Sequence, residues 1–227
     1  MTNPSTPSND GINLGLSAEE VLSTTRSVRR RLDFDRPVPP ELLTACVRLA
    51  LQAPAGSNRW ATQFVIVTDP DQRHALAEVY RKGYEVYRTT SGYIGALDKG
   101  TAELNAIQQR TATSADYLAE HLDRAPALVV ACAMGRADSS PPIATASLFG
   151  SVLPAVWSFM LAARNRGLGT SWTTVLLFHE QEAAKILDIP IDKVSIAALT
   201  PVAFTKGSDF RPASRPEPEE VIHWNRW

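Results

Sequence analysis

The sequence predicts an α+β fold in which helices pack in layers against a sheet. Short apolar runs rich in β-branched residues, at 64–67 and 126–133, predict buried strands. Longer segments with helical periodicity lie between the predicted strands. The first strand follows two helices, and a long helical stretch separates it from the second. The order therefore differs from the regular alternation of a doubly wound sheet.

The N-terminal part of the chain contains two predicted helices. Ser17 and Glu20 have the spacing of a capping box and predict a short helix, which the arginine-rich stretch 26–31 closes. Pro40 suits the first turn of a second helix, which has one apolar face and ends at Pro54.

The middle of the chain, residues 81–124, is predicted to form a mobile helical lid or substrate cover. Helical periodicity runs over 71–87 and again over 101–123, with a loop at 91–100 between them. The second of these helices is polar and has only a thin apolar stripe, which suits a cover better than a core helix.

The segment 144–166 is apolar around most of its circumference, which predicts a helix buried in the core or in a subunit interface. Pro154 should kink this helix or mark its true start. The remainder predicts a third strand at 170–177, a short helix at 179–187, a fourth strand at 195–204 and a C-terminal extension at 207–227.

The length fits one large domain or two small ones, and we expect a single domain, residues 16–227, after a disordered segment, residues 1–15. The formal net charge is -1 and no long basic tract occurs, which argues against general binding to nucleic acid. We expect a cytoplasmic protein without a membrane segment, because the start is polar and no run of about 18 apolar residues occurs. Cys46 and Cys132 are expected to be buried thiols. The four histidines lack metal-ligand spacing, and no Ser–His–Asp or Cys–His pattern is present.

Arg26, Ser27 and Arg29 form a candidate phosphate site near the N-terminus. On a helix, Arg26 and Arg29 share one face, and two guanidinium groups with a hydroxyl suit a phosphate dianion. The alternative is a solvated basic helix end that interacts favourably with its own dipole.

Three further segments are polar and flexible amid apolar surroundings. Pro54, Ala55, Gly56, Ser57 and Asn58 form a loop in which glycine allows close approach of a flat ligand, while serine and asparagine offer hydrogen bonds. An ordinary helix-to-strand turn is the alternative. Residues 167–174 place hydroxyl side chains after a Gly-Leu-Gly turn, where a glycine cap and a threonine-rich strand are the alternative. Arg215 stands between Ser214 and Pro216 in the extension.

Together, these four segments resemble the nitroreductase family, which also contains iodotyrosine deiodinases and the flavin-fragmenting enzyme of cobalamin synthesis. The resemblance covers nearly the whole chain from about Leu16. It implies that Arg26, Ser27, Arg29 and Arg215 hold the phosphate of FMN. It also implies that residues 54–58 lie along the flavin ring, and that Trp172, Thr173 and Thr174 face its reactive side. The ending, residues 223–227, resembles an actinobacterial subgroup.

The sequence departs from the family pattern at two places. Thr25 stands where the family has a first arginine, so Arg30 is an alternative phosphate contact. Residues 59–62 read Arg-Trp-Ala-Thr, whereas the family has Gln-Pro-Trp or Gln-Gly-Trp after the loop asparagine. The second departure changes contacts close to the substrate.

The resemblance further implies a three-layer α/β/α sandwich with a mixed sheet, assembled as a homodimer. The expected function is transfer of hydride from NADH or NADPH, through FMN, to a nitroaromatic or quinone by a ping-pong mechanism. No protein side chain is expected to be catalytic, and no metal is expected. A reductive dehalogenase, a flavin-fragmenting enzyme, a non-catalytic flavin-binding protein, a module for another phosphate ligand and a deazaflavin electron donor remain alternatives.

Overall fold

The computed structural model describes residues 13–138 and 140–227. Most of the predicted disordered segment, residues 1–12, therefore lies outside the described residues. Leu14 is joined to the domain, because its N–H donates to the carbonyl oxygen of Asn165 at 2.8 Å.

Five strands form one sheet. They are β1 (Leu32–Asp33), β2 (Thr62–Val67), β3 (Ala127–Met134), β4 (Leu168–Thr170) and β5 (Val194–Thr205). The order is β1-β5-β3-β2, and β4 pairs with β5. Every strand pair is antiparallel. The prediction of a mixed sheet is therefore wrong for the described residues. Among them, parallel pairing occurs only as two isolated bridges, one of them between Ser27 and Thr170.

Six helices cover the two faces of this sheet. They are α1 (Ala18–Thr24), α2 (Pro40–Ala50), α3 (Pro70–Arg88), α4 (Ala102–His121), α5 (Pro142–Arg164) and α6 (Glu180–Ile186). Alternate side chains of β3 enter two hydrophobic clusters: Leu128 and Val130 join one, and Val129 and Ala131 the other. The first cluster includes residues of α3, α4 and α6, and the second includes residues of α2 and α5. This arrangement confirms the α+β class and the three layers.

Local sequence accounts for most helix starts. Ser17 accepts a hydrogen bond from Glu20 N, and the side chain of Glu20 accepts one from Ser17 N, which confirms the capping box. Pro40 opens α2 as predicted. Asp69 caps α3 and Thr101 caps α4 through hydrogen bonds to the N–H groups of the first turn.

Two predicted elements are wrong. Residues 26–31 do not close a helix, since α1 ends at Thr24 and Ser27 lies in a backbone bridge. The predicted strand at 170–177 ends at Thr170, and Val175–His179 is a 3-10 helix. The β-branched and hydroxyl residues of this stretch were misleading, because the chain leaves the sheet after three residues.

Helix α5 begins at Pro142, so Pro154 lies inside it and does not mark its start. By length and composition alone, α5 could cross a membrane. Core helices share this composition, and Val152, Val156 and Phe159 are buried in the chain. Only 44% of its most apolar window is buried, however, which leaves an exposed apolar face.

Candidate functional site

A cavity of about 430 Å³ opens between α3, α4 and the segment that follows β4. Its volume is within the usual range for small-molecule sites, about 300–1,000 Å³. The lining is mostly aromatic and hydroxyl-bearing: Arg29, Tyr80, Tyr84, Tyr87, Ile94, Ala115, Leu118, Ser171, Trp172, Thr173, Thr174, Val175 and Phe178.

Arg29 supplies the cation of this cavity. The N–H of Val28 donates to Thr170 O at 2.8 Å, which ties the backbone before Arg29 to the end of β4. Burial lowers the pKa of Arg29 from its usual value, and the hydroxyls of the nearby tyrosines act in the opposite direction. The Arg29 carbonyl oxygen accepts a hydrogen bond from Leu32 N at 3.2 Å, whereas the guanidinium has no acidic side chain beside it among the described residues. A half-buried cation without an acidic partner is costly, and a ligand with acceptor groups would offset that cost.

Thr173 is held from three directions. Its backbone forms a two-way bridge with Leu199, with N···O distances of 3.0 and 2.9 Å. Its hydroxyl lies 3.2 Å from the Tyr80 hydroxyl and accepts a hydrogen bond from Val175 N at 3.3 Å. The position of this hydroxyl is thus set before any ligand binds.

Ser171 contributes a buried hydroxyl. The residue is 1% exposed, and its Oγ has no hydrogen-bond partner among the described residues. A buried hydroxyl without a partner is destabilising, so Ser171 is a natural donor to a ligand in the cavity.

Three tyrosines of α3 form the opposite wall. Tyr80, Tyr84 and Tyr87 have i, i+4, i+7 spacing and lie on one face of the helix. The Tyr84 hydroxyl donates to Asp116 Oδ1 at 3.0 Å, and Arg88 donates to the same oxygen at 2.9 Å. Burial first, and then Asp116, raise the pKa of Tyr84 well above its usual value. Tyr80, Tyr84 and Tyr87 were not predicted as site residues, although their spacing is visible in the sequence.

The cavity wall depends on a close approach of α3 to the 3-10 helix at Val175–His179. A Cβ atom on Gly83 would lie 2.5 Å from the carbonyl oxygen of Val175. Only glycine permits this contact, which brings α3 close enough for the Tyr80 hydroxyl to reach Thr173.

Arg26 and Ser27 do not share a helical face with Arg29, because the segment is not helical. Arg26 is exposed, and its Nη1 donates to Arg211 O at 2.8 Å. Ser27 is exposed beside Thr170. The two arginines therefore point to different surroundings, and within one chain only Arg29 lines the cavity.

The loop formed by Pro54, Ala55, Gly56, Ser57 and Asn58 lies outside the cavity. It packs on α5, where Gly56 N donates to Ser151 Oγ at 2.9 Å. Ser57 and Asn58 both adopt left-handed backbone angles, with φ of 55° and 52°. Two consecutive left-handed residues other than glycine are uncommon, and strained backbone of this kind clusters at ligand-binding sites.

Arg215 is exposed, and its only described hydrogen bond runs from Nη1 to the carbonyl of its neighbour Ser214, at 3.0 Å. Of the predicted site residues, the structure thus gathers Arg29, Trp172, Thr173 and Thr174 in one cavity. It leaves Arg26, Ser27, the loop at 54–58 and Arg215 outside it.

No cluster of three or more metal-ligating side chains occurs in residues 13–138 and 140–227. Cys46 and Cys132 are unpaired and buried, as predicted. Burial raises the pKa of Cys46 to about 11 and that of Cys132 to about 12, so neither thiol is suited to nucleophilic chemistry near neutral pH.

Known proteins resemble this chain in both sequence and fold. The sequence model of the nitroreductase family matches residues 22–203. Iodotyrosine deiodinase 1 of Rattus norvegicus is 29% identical over 112 residues, which is 49% of this chain but only 35% of the relative. The matched segment is thus about a third of that protein's length.

Solved structures share the fold over nearly the whole chain. A structure of oxidized iodotyrosine deiodinase bound to FMN and 3-iodo-L-tyrosine has a TM-score of 0.66 and 22% identity, covering 91% of this chain and 98% of its own. A mutant of the FMN and NADPH-dependent nitroreductase NfnB from a sphigopyxis strain has a TM-score of 0.64 and 19% identity, covering 93% and 100%. At these identities, the likeness establishes the fold.

Proposed function

The chain belongs to the nitroreductase family, and on that premise we propose that it is an FMN-dependent oxidoreductase. It transfers hydride from NADH or NADPH to a small electron-poor acceptor, either a nitroaromatic or a quinone. The observation that carries the proposal is a cavity lined both by the Arg29 guanidinium, whose pKa is lowered by burial, and by the Ser171 hydroxyl, which is buried without a hydrogen-bond partner among the described residues.

The residues present fit FMN. Its polar ring edge requires hydrogen-bond donors in a site otherwise lined by flat apolar groups, and the cavity offers Arg29, Ser171 and Thr173 among aromatic rings. We therefore assign Arg29 to the ring edge in place of the phosphate role that the family resemblance implied. Its phosphate requires cations, and Arg26 and Arg215 are exposed cations without an ion pair in the described chain. Ser27 and the loop at 54–58 supply further donors.

When bound, FMN supplies the hydride chemistry, accepting it from the nicotinamide and delivering it to the acceptor. The chain supplies position and exclusion of water. Thr173 is held in place by Tyr80 and Leu199, so its hydroxyl and backbone need no rearrangement to meet a ligand. Trp172, Tyr87 and Phe178 provide apolar surface against which a flat acceptor can stack.

We also propose that the functional unit is a homodimer. Ile143 and Trp157, on α5, are 78% and 37% exposed, and Trp224 and Trp227 of the extension are 82% and 99% exposed. Exposed apolar groups on a long helix and on a terminal extension are typical of a subunit interface. Dimerisation would also bring a second copy's exposed site residues to the cavity.

Direct binding of FMN tests the proposal. The purified protein should be yellow with about one FMN per chain. Arg29→Ala should weaken FMN binding roughly 10- to 150-fold, the effect of losing a hydrogen bond to a charged group. Arg110→Ala is the matched control, because Arg110 is exposed on α4 and has no described ion pair. A colourless protein that takes up no FMN at micromolar concentration contradicts the proposal.

Kinetics test the mechanism. Because donor and acceptor use one cavity in turn, rates against NADH or NADPH at several fixed quinone concentrations should give parallel lines. Thr173→Val should slow turnover about 10-fold, or near 1.4 kcal/mol on the barrier, without abolishing it. Intersecting lines would show that both substrates bind together, and complete loss of turnover with FMN still bound would reveal a catalytic side chain.

Reductive dehalogenation is the second candidate, favoured by the sequence match to iodotyrosine deiodinase over 49% of this chain. The aromatic cavity wall formed by Tyr80, Tyr84 and Tyr87 also suits a halophenol. Halide release from an iodophenol, measured beside quinone reduction, distinguishes the two reactions. Halide release faster than quinone reduction would favour the dehalogenase.

A further inference from the structure

The loop between α3 and α4, residues 89–101, closes one side of the cavity. Ile94 of this loop lines the cavity beside Tyr87 and Ala115. Tyr93 and Ile94 are partly buried, whereas residues 96–100 are exposed. The loop thus contributes little apolar burial, and its position depends on a few specific contacts.

The Tyr87 hydroxyl makes two of these contacts. It accepts a hydrogen bond from Ile94 N at 2.9 Å and donates one to Gly92 O at 3.2 Å. The Tyr93 ring packs edge-on against the Tyr87 ring, with centroids 5.4 Å apart. One side chain of α3 thereby fixes three consecutive residues of the loop.

The other end of the loop is attached to α4. Asn105 accepts from Lys99 N at 2.7 Å and donates to Asp98 Oδ1 at 2.8 Å, and Gln109 donates to Gly95 O at 3.0 Å. These contacts are exposed to solvent, so each contributes little alone. They hold the far half of the loop. The backbone of Tyr93 also bonds to Thr90 and Ala96, at 3.1 and 2.9 Å, and the Ile94 N–H itself donates to the Tyr87 hydroxyl.

We propose that the Tyr87 hydroxyl is a latch that holds Ile94 across the cavity and thereby limits the size of acceptor that the site admits. The hydroxyl of Tyr87 is a positioning group, because it acts on the acceptor through Ile94, whereas the ring of Tyr87 is itself part of the cavity wall. The limit on acceptor size rests on the proposed function, whereas the latch itself does not.

Amide hydrogen exchange tests the latch without turnover. In Tyr87→Phe, the ring and its packing remain and only the hydroxyl is lost. Exchange of the Ile94 amide should rise about 10-fold, while the melting temperature stays close to that of the parent. Tyr117→Phe is the matched control, because the Tyr117 hydroxyl has no described hydrogen bond and the residue lies outside the cavity. Unchanged exchange at Ile94 in Tyr87→Phe overturns the latch.

Acceptor selectivity tests the second part. The ratio of kcat/KM for a bulky quinone to that for a small quinone should rise about 5-fold in Tyr87→Phe, through a lower KM for the bulky acceptor. Ile94→Ala should raise the same ratio while its residue 94 amide exchanges slowly, because its backbone N–H still reaches Tyr87. Equal effects on both quinones overturn the size limit. A protein that reduces no acceptor at all contradicts the proposed function and leaves the exchange result decisive for the latch.

Discussion

The two helical layers hold their predicted site residues in different ways. On the side of α3 and α4, Arg29 and residues 172–174 line one cavity. On the side of α5, the loop at 54–58 is exposed and turned away from that cavity, with the sheet between the two layers. In the proposed homodimer, a ligand that touches both groups of residues would be held by two copies of the chain. On that proposal, one half of the site is formed by folding and the other by assembly.

The largest effect should come from a charge placed on the exposed face of α5. Trp157→Glu should raise the dissociation constant of the proposed dimer about 100-fold or more, because an unpaired carboxylate buried in the interface costs several kcal/mol. Sedimentation should then give the single-chain mass of 24.8 kDa, with loss of FMN. Leu104→Glu is the control, since Leu104 is 44% exposed on α4 in the opposite layer. If the Trp157→Glu protein stays dimeric, the exposed face of α5 is not part of the interface.

Mixing two defective chains sharpens the comparison. Arg29→Ala damages the cavity half and Asn58→Ala the loop half, so each protein alone should bind FMN about 10-fold more weakly or worse. If the halves come from different chains, each mixed dimer has one intact site, and random mixing restores about a quarter of all sites. If mixing restores no FMN sites, both halves of each site come from the same chain.

Asn58→Ala also loses a residue type that tolerates left-handed angles, which could weaken the loop itself. Asp188→Ala is the matched control, because Asp188 has the same φ of 52° and lies outside the cavity. Its FMN affinity should stay at the parental value.

The smallest effect should come from the extension. Arg215→Ala should weaken FMN binding by several-fold to about 10-fold, because an interaction between an exposed cation and a phosphate is screened by solvent and contributes little to binding. The apo-protein melting temperature should not change, because Arg215 is exposed and its described hydrogen bond runs to its own neighbour, Ser214. Unchanged FMN affinity would contradict its role at the phosphate.

Much of the fold could be predicted because its elements have local signals. The capping box at Ser17, the apolar strand at 64–67 and the all-round apolar α5 were each visible in the sequence. The antiparallel pairing of the sheet was not, because strand direction depends on contacts between distant residues.

The site was predicted less completely. Residue identity pointed to Arg29 and Thr173, and the structure places both in the cavity. The sequence could not show that Arg26 and Arg29 diverge. Their directions depend on a backbone bridge between Ser27 and Thr170, which are far apart in the sequence. Tyr80 was missed because a tyrosine on an amphipathic helix is usually core, and its contact with Thr173 is also long-range.

The two cysteines have a consequence for following the protein in solution. Cys132 belongs to the hydrophobic cluster shared with α3 and α4, and Cys46 to the cluster shared with α5. Both thiols are almost fully buried, so an alkylating reagent reaches each only when its own layer opens. The native chain therefore carries one chemical reporter per layer, and their separate labelling rates would show whether the two layers open together or one before the other.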